Sequence, residues 1–326
     1  MIMITVSFLL GMILCLLFGV PYIDFLRKKM IGQYVKELAP ETHAQKQGTP
    51  TTGGVFIIVA VIIASIIALM LAQRLSTDAF IILITLVFYT FAGFQDDYIK
   101  IKGKGNDGLT PRGKLLRQIA IALLPTLYVM MSNPYGSYFS IGSFVINLGW
   151  LYPLLSVFII TGASNAYNLT DGLDGLAAST GVPVFVVCSI ISLLSGYPEV
   201  AIISAAVAGG LVGFLKYNKP KAQVFMGDTG SLAIGGLLGT LAVMGKFEFL
   251  LIFLAIVFVC ETLSVIIQVI SFKTTGKRVF KMAPVHHHFE LCGWSEKKIV
   301  VVFAIVSAIF SLIAFGLFEL FTKGIL

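Results

Sequence analysis

The sequence predicts an all-α protein that crosses a membrane many times and forms a single integral membrane domain over residues 1–326. Two observations predict this fold class. The chain is 57% hydrophobic and only 12% charged, whereas soluble domains carry about 25% charged residues. Apolar runs of about 20 residues, the length of a membrane-spanning helix, also recur along the whole chain. These runs are continuous and do not alternate with polar residues, so a membrane β-barrel is not indicated.

We expect about ten membrane-spanning helices. The apolar runs that fit a span are 2–26, 51–72, 79–98, 115–132, 149–167, 176–195, 199–216, 229–245, 249–272 and 299–322. One stretch, SYFSIGSFVINLG at 137–149, alternates between apolar and polar residues as β-strands do. It predicts a small β-hairpin outside the membrane, on the extracytoplasmic side.

The basic residues predict how these helices are oriented. The connections on one side of the membrane hold 20 of the 23 lysines and arginines, and only Arg74, Lys246 and Lys323 lie on the other side. By the positive-inside rule the basic side is cytoplasmic and both termini are extracytoplasmic. The polar motifs lie on or beside the basic loops, so we expect the active site at the cytoplasmic face. Because this topology accounts for the net charge of +7, no nucleic-acid partner is expected.

The first basic loop contains the motif KQGTPTTGG at 46–54. Lys46 supplies a positive charge, and Thr52 lies where the second helix is expected to begin. A helix start leaves backbone N–H donors free to bind an anion. Phosphate binding and ordinary capping of the second helix both remain consistent with this loop.

The third apolar run ends in FQDD, which places Asp96 and Asp97 at the predicted end of a helix. Carboxylates at a membrane edge are costly and usually mark a site. The alternative is a solvated helix end complemented by Lys100 and Lys102, although a helix C-terminus disfavours negative charge. Neighbouring helical residues point about 100° apart, so the two aspartates are not expected to share one task.

The segment NAYNLTDGLDGLAAST at 165–180 is the densest polar stretch of the chain. Asn168, Asp171 and Asp174 recur at every third residue, so they would share one face if the segment were helical. Gly172 would leave room beside them. A functional site explains two aspartates at this position better than a simple turn between helices does.

The segment KYNKPKAQVFMGDTGS at 216–231 adds Asn218, Phe225 and Asp228. Asp228 with Thr229 predicts either an N-cap for the eighth helix or a ligand for a cation. Phe225 is expected to pack in the core unless a nucleobase needs an aromatic surface to stack on.

The last basic loop contains KMAPVHHHFELCGW at 281–294, with three consecutive histidines. They cannot all reach one zinc ion without a distorted backbone, so contact of one or two of them with phosphate fits better. In the ninth apolar run, Glu261 and Gln268 share one helical face. A glutamate buried in a membrane is expected to face the helix bundle or a cavity.

Taken together, these motifs resemble the polyprenyl-phosphate N-acetylhexosamine-1-phosphate transferase superfamily. GTPTTGG, FQDD, NLTDGLDGL, FMGDTGS and APVHHHFE follow one another in the superfamily's order and span nearly the whole chain. APVHHHFE is similar to the motif of the branch that acts in peptidoglycan synthesis. The resemblance implies an enzyme of the bacterial inner (cytoplasmic) membrane that uses Mg²⁺. It would transfer phospho-N-acetylmuramoyl-pentapeptide from UDP-N-acetylmuramoyl-pentapeptide to undecaprenyl phosphate, giving lipid I and UMP, and it would form a homodimer.

The resemblance also implies roles for individual residues. The catalytic residues would be Asp96, Asp97, Asp228 and His287, with Asp228 as the Mg²⁺ ligand. The substrate-binding residues would be Lys46, Thr52, Lys114, Asn168, Asp171, Gly172, Asp174, Asn218, Phe225, Gln268, His286 and His288. Gln268 is included because the ninth helix is broken in the superfamily.

Two alternatives remain open from the sequence. A sibling transferase would move N-acetylglucosamine-1-phosphate, but the PVHHHFE motif argues against it. A transporter would use Glu261 and the aspartates to line a pathway. Such a protein would place its charges near the membrane midplane and show repeat symmetry, whereas this chain gathers most of its carboxylates at one face and shows no internal repeat.

Overall fold

The computed structural model describes residues 1–29, 48–103, 107–142 and 144–324, and the chain in these ranges is mostly helical. Lys46 lies outside the described residues. The helices are α1 (Ile2–Lys28), α2 (Gly54–Leu71), α3 (Thr77–Lys102), α4 (Pro111–Ser132), α5 (Tyr152–Thr170), α6 (Leu176–Leu194), α7 (Pro198–Asn218), α8 (Gly227–Met244), α9 (Glu248–Leu254), α10 (Ile256–Thr275), α11 (Val285–Leu291) and α12 (Glu296–Thr322).

Within the described ranges, nine helices are long and apolar enough to cross a membrane. They correspond to nine of the ten predicted spans, and the multi-pass membrane fold is confirmed. The remaining predicted span, 149–167, corresponds to α5, which is not among these nine. Helix α5 has 19 residues, but polar side chains such as Asn165 and Asn168 lower the hydropathy of its C-terminal half. The predicted ninth span, 249–272, is not continuous, because it is broken at Ala255 into the short α9 and the longer α10.

The predicted β-hairpin is present. Strands β1 (Tyr138–Ile141) and β2 (Phe144–Asn147) pair antiparallel, with Tyr138 opposite Asn147. The hairpin is held to the turn between α8 and α9 by Lys246, whose Nζ donates to the carbonyl oxygens of Gly136 at 2.9 Å and Tyr138 at 3.2 Å. The hairpin and this turn therefore form one end of the protein.

The centre of the bundle is formed by α7 and α8, whose residues are nearly all buried. The largest helix contacts pair α1 with α7, α5 with α8, α6 with α7 and α3 with α8. Glycines permit this packing: a Cβ on Gly209 would collide with the carbonyl of Phe8, and one on Gly235 with the carbonyl of Ala163. Small residues let helix backbones approach closely in membranes. Because α8 is packed between α3 and α5, its N-terminus has a fixed position, and that end carries Asp228.

Candidate active site

Three aspartates from two helices meet at the end of the bundle that carries the basic loops. Asp96 and Asp97 belong to α3, and Asp228 lies in the first turn of α8. One carboxylate oxygen from each aspartate lies within 4.8 Å of the other two. Asp96 and Asp97 are only 2% and 4% exposed. Burying charges is costly unless they are paired, so their partners determine what the cluster can do.

The position of the first two aspartates in their helix differs from the prediction. The predicted span ends at residue 98, but α3 continues to Lys102, so Asp96 and Asp97 are followed by more than one further turn. Lys100 and Lys102 form the last turn, where the helix dipole favours positive charge. Lys100 lies one turn after Asp96, and its Nζ is 2.5 Å from Asp96 Oδ2. Asp96 and Asp97 therefore lie within α3, one turn before its polar C-terminal end.

Asp97 caps the N-terminus of α8. Its Oδ1 accepts the backbone N–H of Asp228 at 3.1 Å, and its Oδ2 accepts the backbone N–H of Thr229 at 2.9 Å and the Thr229 hydroxyl at 2.6 Å. A helix start carries unpaired N–H groups that a carboxylate stabilises. The alternative in which Asp228 and Thr229 cap their own helix is therefore wrong. The cap comes from α3, and the Asp228 side chain is left for other contacts.

Asp228 forms ion pairs with the ammonium groups of two lysines. Its Oδ2 lies 2.9 Å from Lys100 Nζ and 2.8 Å from Lys114 Nζ. Its Oδ1 accepts a hydrogen bond from Asn168 Nδ2 at 2.8 Å, and the same nitrogen contacts Ser231 Oγ at 2.8 Å. The ends of α3, α4, α5 and α8 thus converge on one carboxylate.

Lys114 is placed by the start of α4. Thr110 caps this helix, because its hydroxyl accepts the N–H of Gly113 at 3.2 Å, and Pro111 occupies the first helical position, where proline is favoured. Lys114 then lies in the first turn and reaches Asp228. Lys100 was not among the predicted site residues. The sequence did contain a sign that Lys100 belongs to the site. Lys100 follows Asp96 by four residues, and residues at this spacing are neighbours on a helix surface.

A cavity of about 560 Å³ opens beside Asp96. It is lined by Asp96, Lys100, Asp107, Gly108, Leu109, Thr110, Pro111, Lys114, Leu115 and Asn165. Asp96 Oδ1 accepts the N–H of Leu109 at 2.8 Å, which holds the start of α4 over the carboxylate. The wall therefore combines two ammonium groups with apolar side chains, an arrangement suited to a phosphate attached to a hydrocarbon chain.

The carboxylates fit a magnesium ion. Mg²⁺ takes oxygen ligands at about 2.0–2.1 Å in an octahedron, so oxygens within 4.8 Å of one another need only a small closure to share one ion. Asp96 Oδ2 is buried and makes no hydrogen bond to the described residues, although the Lys100 ammonium lies close to it. Both Asp97 oxygens accept hydrogen bonds that cap α8. Asp228 is instead paired mainly with the ammonium groups of Lys100 and Lys114, which a metal cation could replace. Asp96 and Asp228 are therefore the residues best able to hold a metal.

The segment between α5 and α6 is a turn, not a continuous helix. Helix α5 ends at Thr170, and α6 begins after Gly175, whose φ of +78° is in the left-handed region that glycine tolerates. Asn168, Asp171 and Asp174 therefore do not share a helical face. The condition for a shared face, a continuous helix through this segment, is not met because α5 ends at Thr170 and the chain turns there.

Asp174 in this turn and Asn218, the last residue of α7, both hold the loop that precedes α8. Asp174 Oδ2 accepts the backbone N–H groups of Lys221 at 3.1 Å and Ala222 at 2.9 Å. Asn218 Oδ1 accepts the N–H of Gly175 at 2.9 Å, and its Nδ2 donates to the Val224 carbonyl at 2.9 Å. In this structure both side chains are engaged by the protein, and they position the half-buried Phe225.

Asp171 lies between these contacts and the aspartate cluster. It is half-buried, and burial raises the pKa of its carboxyl group well above the usual range, with the negative charges of Asp228, Asp97 and Asp174 raising it further. The space beside Gly172 is filled by the His286 ring, with which a Cβ would collide. The substrate-binding roles of Asp171 and Gly172 stay predictions.

The glycine-rich loop before α2 does not offer the free donors that were predicted. The N–H of Gly53 donates to the Phe225 carbonyl and that of Gly54 to the Met226 carbonyl, both at 2.8 Å. Thr52 is buried, has a φ of +70° and contacts the Tyr22 hydroxyl at 3.2 Å. Such a conformation is strained for a β-branched residue. The loop is therefore fastened to the segment before α8, and its N–H groups at Gly53 and Gly54 are not free to bind phosphate.

The three histidines lie on the short helix α11 and contact different polar partners. His286 is completely buried, and its Nδ1 lies 3.0 Å from Glu261 Oε2. His287 Nδ1 lies 2.6 Å from Glu290 Oε2. His288 Nδ1 accepts the N–H of Lys281 at 3.1 Å. The buried Glu261 faces the bundle interior as predicted.

Gln268 contacts backbone in this structure. Its Oε1 accepts the N–H groups of Val279 at 3.1 Å and Phe280 at 2.9 Å, and its Nε2 donates to the Phe280 carbonyl at 2.9 Å. These contacts fasten the segment after α10 to the helix itself. The predicted substrate contacts of Gln268 and of the histidines are not tested by this geometry.

Comparison with known proteins places the chain in a family. The model of glycosyl transferase family 4 matches residues 79–246. The phospho-N-acetylmuramoyl-pentapeptide-transferase of Bacillus licheniformis is 46% identical over 298 residues, which cover 91% of this chain and 92% of the relative. The transferases of the same name from Oceanobacillus iheyensis and Bacillus anthracis are 46% and 47% identical, over 96% and 91% of both chains. These findings set the transporter alternative aside. The chain therefore belongs to the phospho-N-acetylmuramoyl-pentapeptide transferases of glycosyl transferase family 4 and is a phospho-sugar transferase.

Proposed function

We propose that the protein transfers phospho-N-acetylmuramoyl-pentapeptide from its UDP carrier to undecaprenyl phosphate, giving lipid I and UMP. The observation that carries this proposal is the cluster of Asp96, Asp228, Lys100 and Lys114 beside a half-apolar cavity. The names and high identity of the relatives support the donor's phospho-sugar. The apolar wall formed by Leu109, Pro111 and Leu115 supports a lipid acceptor.

The lysines address the main electrostatic problem of this reaction. A diphosphate donor and a lipid phosphate bring several negative charges together, and phosphoryl transfer depends mainly on positioning and charge stabilisation. Lys100 and Lys114 place two ammonium groups at the cavity wall, and Asn168 holds Asp228 between them. His287, on the other side of the turn after α5, is assigned to the phosphates of the donor.

Asp96 and Asp228 would hold Mg²⁺, which is the cation we propose as cofactor. When bound, Mg²⁺ polarises phosphate oxygens and neutralises charge that develops during transfer. In the structure Asp228 is held by Lys100 and Lys114. With the carboxylates engaged by the cation, these ammonium groups would be available to the phosphates.

The acceptor phosphate attacks the donor directly in this proposal. An oxygen of the lipid phosphate forms a bond to the phosphorus attached to the sugar, the bond from that phosphorus to the bridging oxygen breaks, and UMP leaves. A phosphate monoester has its second pKa at about 6, so the attacking oxygen needs little help from a base at neutral pH. Asp97 accepts three hydrogen bonds from α8 and is poorly placed to serve as a nucleophile.

The orientation we propose puts this site at the cytoplasmic face of the bacterial inner membrane, with both termini outside and a second copy forming a homodimer. The site is built from helix ends that adjoin the basic loops, which supports the orientation. The test uses single cysteines in a variant without native cysteines. In intact cells, Tyr135→Cys beside the hairpin should react with an impermeant thiol reagent, and Pro220→Cys should not. Labelling of the cysteine at position 220 would reverse the orientation.

The reaction itself is tested with purified protein, Mg²⁺ and undecaprenyl phosphate. UDP-N-acetylmuramoyl-pentapeptide and UDP-N-acetylglucosamine are supplied in separate reactions, and UMP release is measured. We expect release from the first donor only. Release from UDP-N-acetylglucosamine alone would assign the protein to the sibling activity, and release that occurs without the lipid would contradict direct attack.

A further inference from the structure

A buried pair of ionisable side chains lies outside the aspartate cluster and has no part in the chemistry described above. Glu261 of α10 and His286 of α11 are both completely buried. Glu261 Oε2 lies 3.0 Å from His286 Nδ1, and it also accepts the backbone N–H of His286 at 3.4 Å. One carboxylate oxygen thus contacts the short helix at two points.

The polar atoms of this pair are incompletely satisfied. The distance between Glu261 and His286 is that of an ion pair, but neither ring nitrogen makes a hydrogen bond of good geometry to the described residues, and neither does Glu261 Oε1. Burying such groups is costly, and a buried pair is weak support for stability. A role in positioning explains the pair better than a contribution to stability does.

The pair lies where three segments meet. The His286 ring packs against Gly172 in the turn after α5, where a Cβ would collide with Nε2. Two turns further along α10, Gln268 binds the backbone of Val279 and Phe280 through three hydrogen bonds. Helix α10 therefore holds the segment that carries the histidines at two points, and both side chains lie on the same helical face.

We propose that Glu261 is a positioning residue, which fixes α11 through His286 and thereby places His287 beside the donor. The inference rests on the proposed function, because that function assigns His287 to the donor phosphates. The rings of His286 and His287 have centroids 4.1 Å apart, so a shift of the first ring displaces the second. Glu290 orients His287 from within the same helix, with its Oε2 at 2.6 Å from Nδ1. The placement of His287 then depends on where α11 is docked.

The test compares Glu261→Gln, which keeps a hydrogen-bond acceptor of the same shape, with Glu261→Leu, which removes it. Glu248→Leu is the matched control. Glu248 is also buried and accepts a hydrogen bond from the Tyr152 hydroxyl, but it lies beside the hairpin at the other end of the protein. For each variant of the full-length enzyme, the Tm, the kcat for UMP release and the KM for each substrate are measured.

We expect Glu261→Gln to keep kcat within about threefold of the wild type and Glu261→Leu to lower it about 30-fold or more, with the KM for undecaprenyl phosphate unchanged. Glu248→Leu should lower Tm but leave the kcat of the folded fraction within about threefold. If Glu261→Leu does not fold, the double variant Glu261→Leu, His286→Leu leaves no ionisable side chain of the pair buried without its partner, and the same loss of kcat is expected.

Turnover of Glu261→Leu or of the double variant at the wild-type rate would overturn the inference. So would a loss of kcat in Glu261→Gln as large as that in Glu261→Leu, because the glutamine keeps the contact. These outcomes differ from a failure of the proposed function, in which the wild-type enzyme itself would release no UMP from either donor.

Discussion

Asp97→Ala removes the cap of α8, and the contacts allow its cost to be worked out. The variant loses the hydrogen bonds from the N–H groups of Asp228 and Thr229 and from the Thr229 hydroxyl. Replacing an aspartate cap by alanine costs about 0.5–2 kcal/mol. Thr229 is completely buried, and leaving its hydroxyl unpaired costs about a further 1–3 kcal/mol. We expect the free energy of unfolding to fall by about 1.5–5 kcal/mol.

The assay combines thermal unfolding in detergent with UMP release. A change of 1 kcal/mol moves Tm by about 2–4 °C in a domain of 150–250 residues and by less in a longer chain, so a fall on the order of 5 °C is expected. UMP release should fall too, because Asp228 would no longer be held toward Lys100 and Lys114.

The neighbouring carboxylate gives the matched control. Asp96 is equally buried but accepts only one backbone hydrogen bond, from Leu109. Asp96→Ala should therefore abolish UMP release and lower Tm less than Asp97→Ala does. Equal Tm values for Asp96→Ala and Asp97→Ala would refute the argument that Asp97 caps α8.

Three further outcomes follow from the same geometry. Lys100→Met should lower kcat about 100-fold, as loss of a charge stabiliser does. Lys102 is exposed, so Lys102→Met should leave kcat unchanged. Equal effects of the two variants would show that Lys100 does not act in the site. Gly172→Ala should lower kcat about tenfold by displacing His286. Gly162→Ala should have no effect on turnover, because its Cβ would lie in open space. A fully active Gly172→Ala would show that the His286 ring can move without a loss of turnover. Chelation of Mg²⁺ should stop UMP release and its return should restore it, and activity that survives complete chelation would contradict the proposed cofactor.

Most of the fold could be predicted from the sequence because membrane insertion depends on the length and polarity of single segments. All ten apolar runs are helical, although the ninth is split into α9 and α10, and the alternating stretch forms a hairpin. The errors lie where a helix end depends on contacts with other helices. Helix α3 extends to Lys102 because Lys100 contacts Asp228 on α8. The segment after Asn168 does not continue as a helix because Asn168 is held by α8, and the turn after α5 is held by the end of α7 and the loop before α8.

The candidate site was predictable by residue type but not by partner. The sequence indicated Asp96, Asp228 and Lys114 as site residues, and the structure brings them together. The sequence could not indicate that the Asn218 side chain forms hydrogen bonds with the backbone of Gly175 and Val224. The bond to Gly175 joins residues 43 positions apart, and no local pattern encodes such a contact.

The two adjacent aspartates divide two tasks that one residue could not perform. Helix α8 packs so closely against α3 that a Cβ on Gly93 would collide with the Asp228 carbonyl. At this distance a carboxylate on α3 that faces α8 accepts the N–H groups at the start of α8, as Asp97 does. The same carboxylate cannot also point into the cavity. Since successive helical residues point about 100° apart, the residue before it faces the cavity instead. Asp96 is thus free for cations because Asp97 has already fixed the helix that carries Asp228.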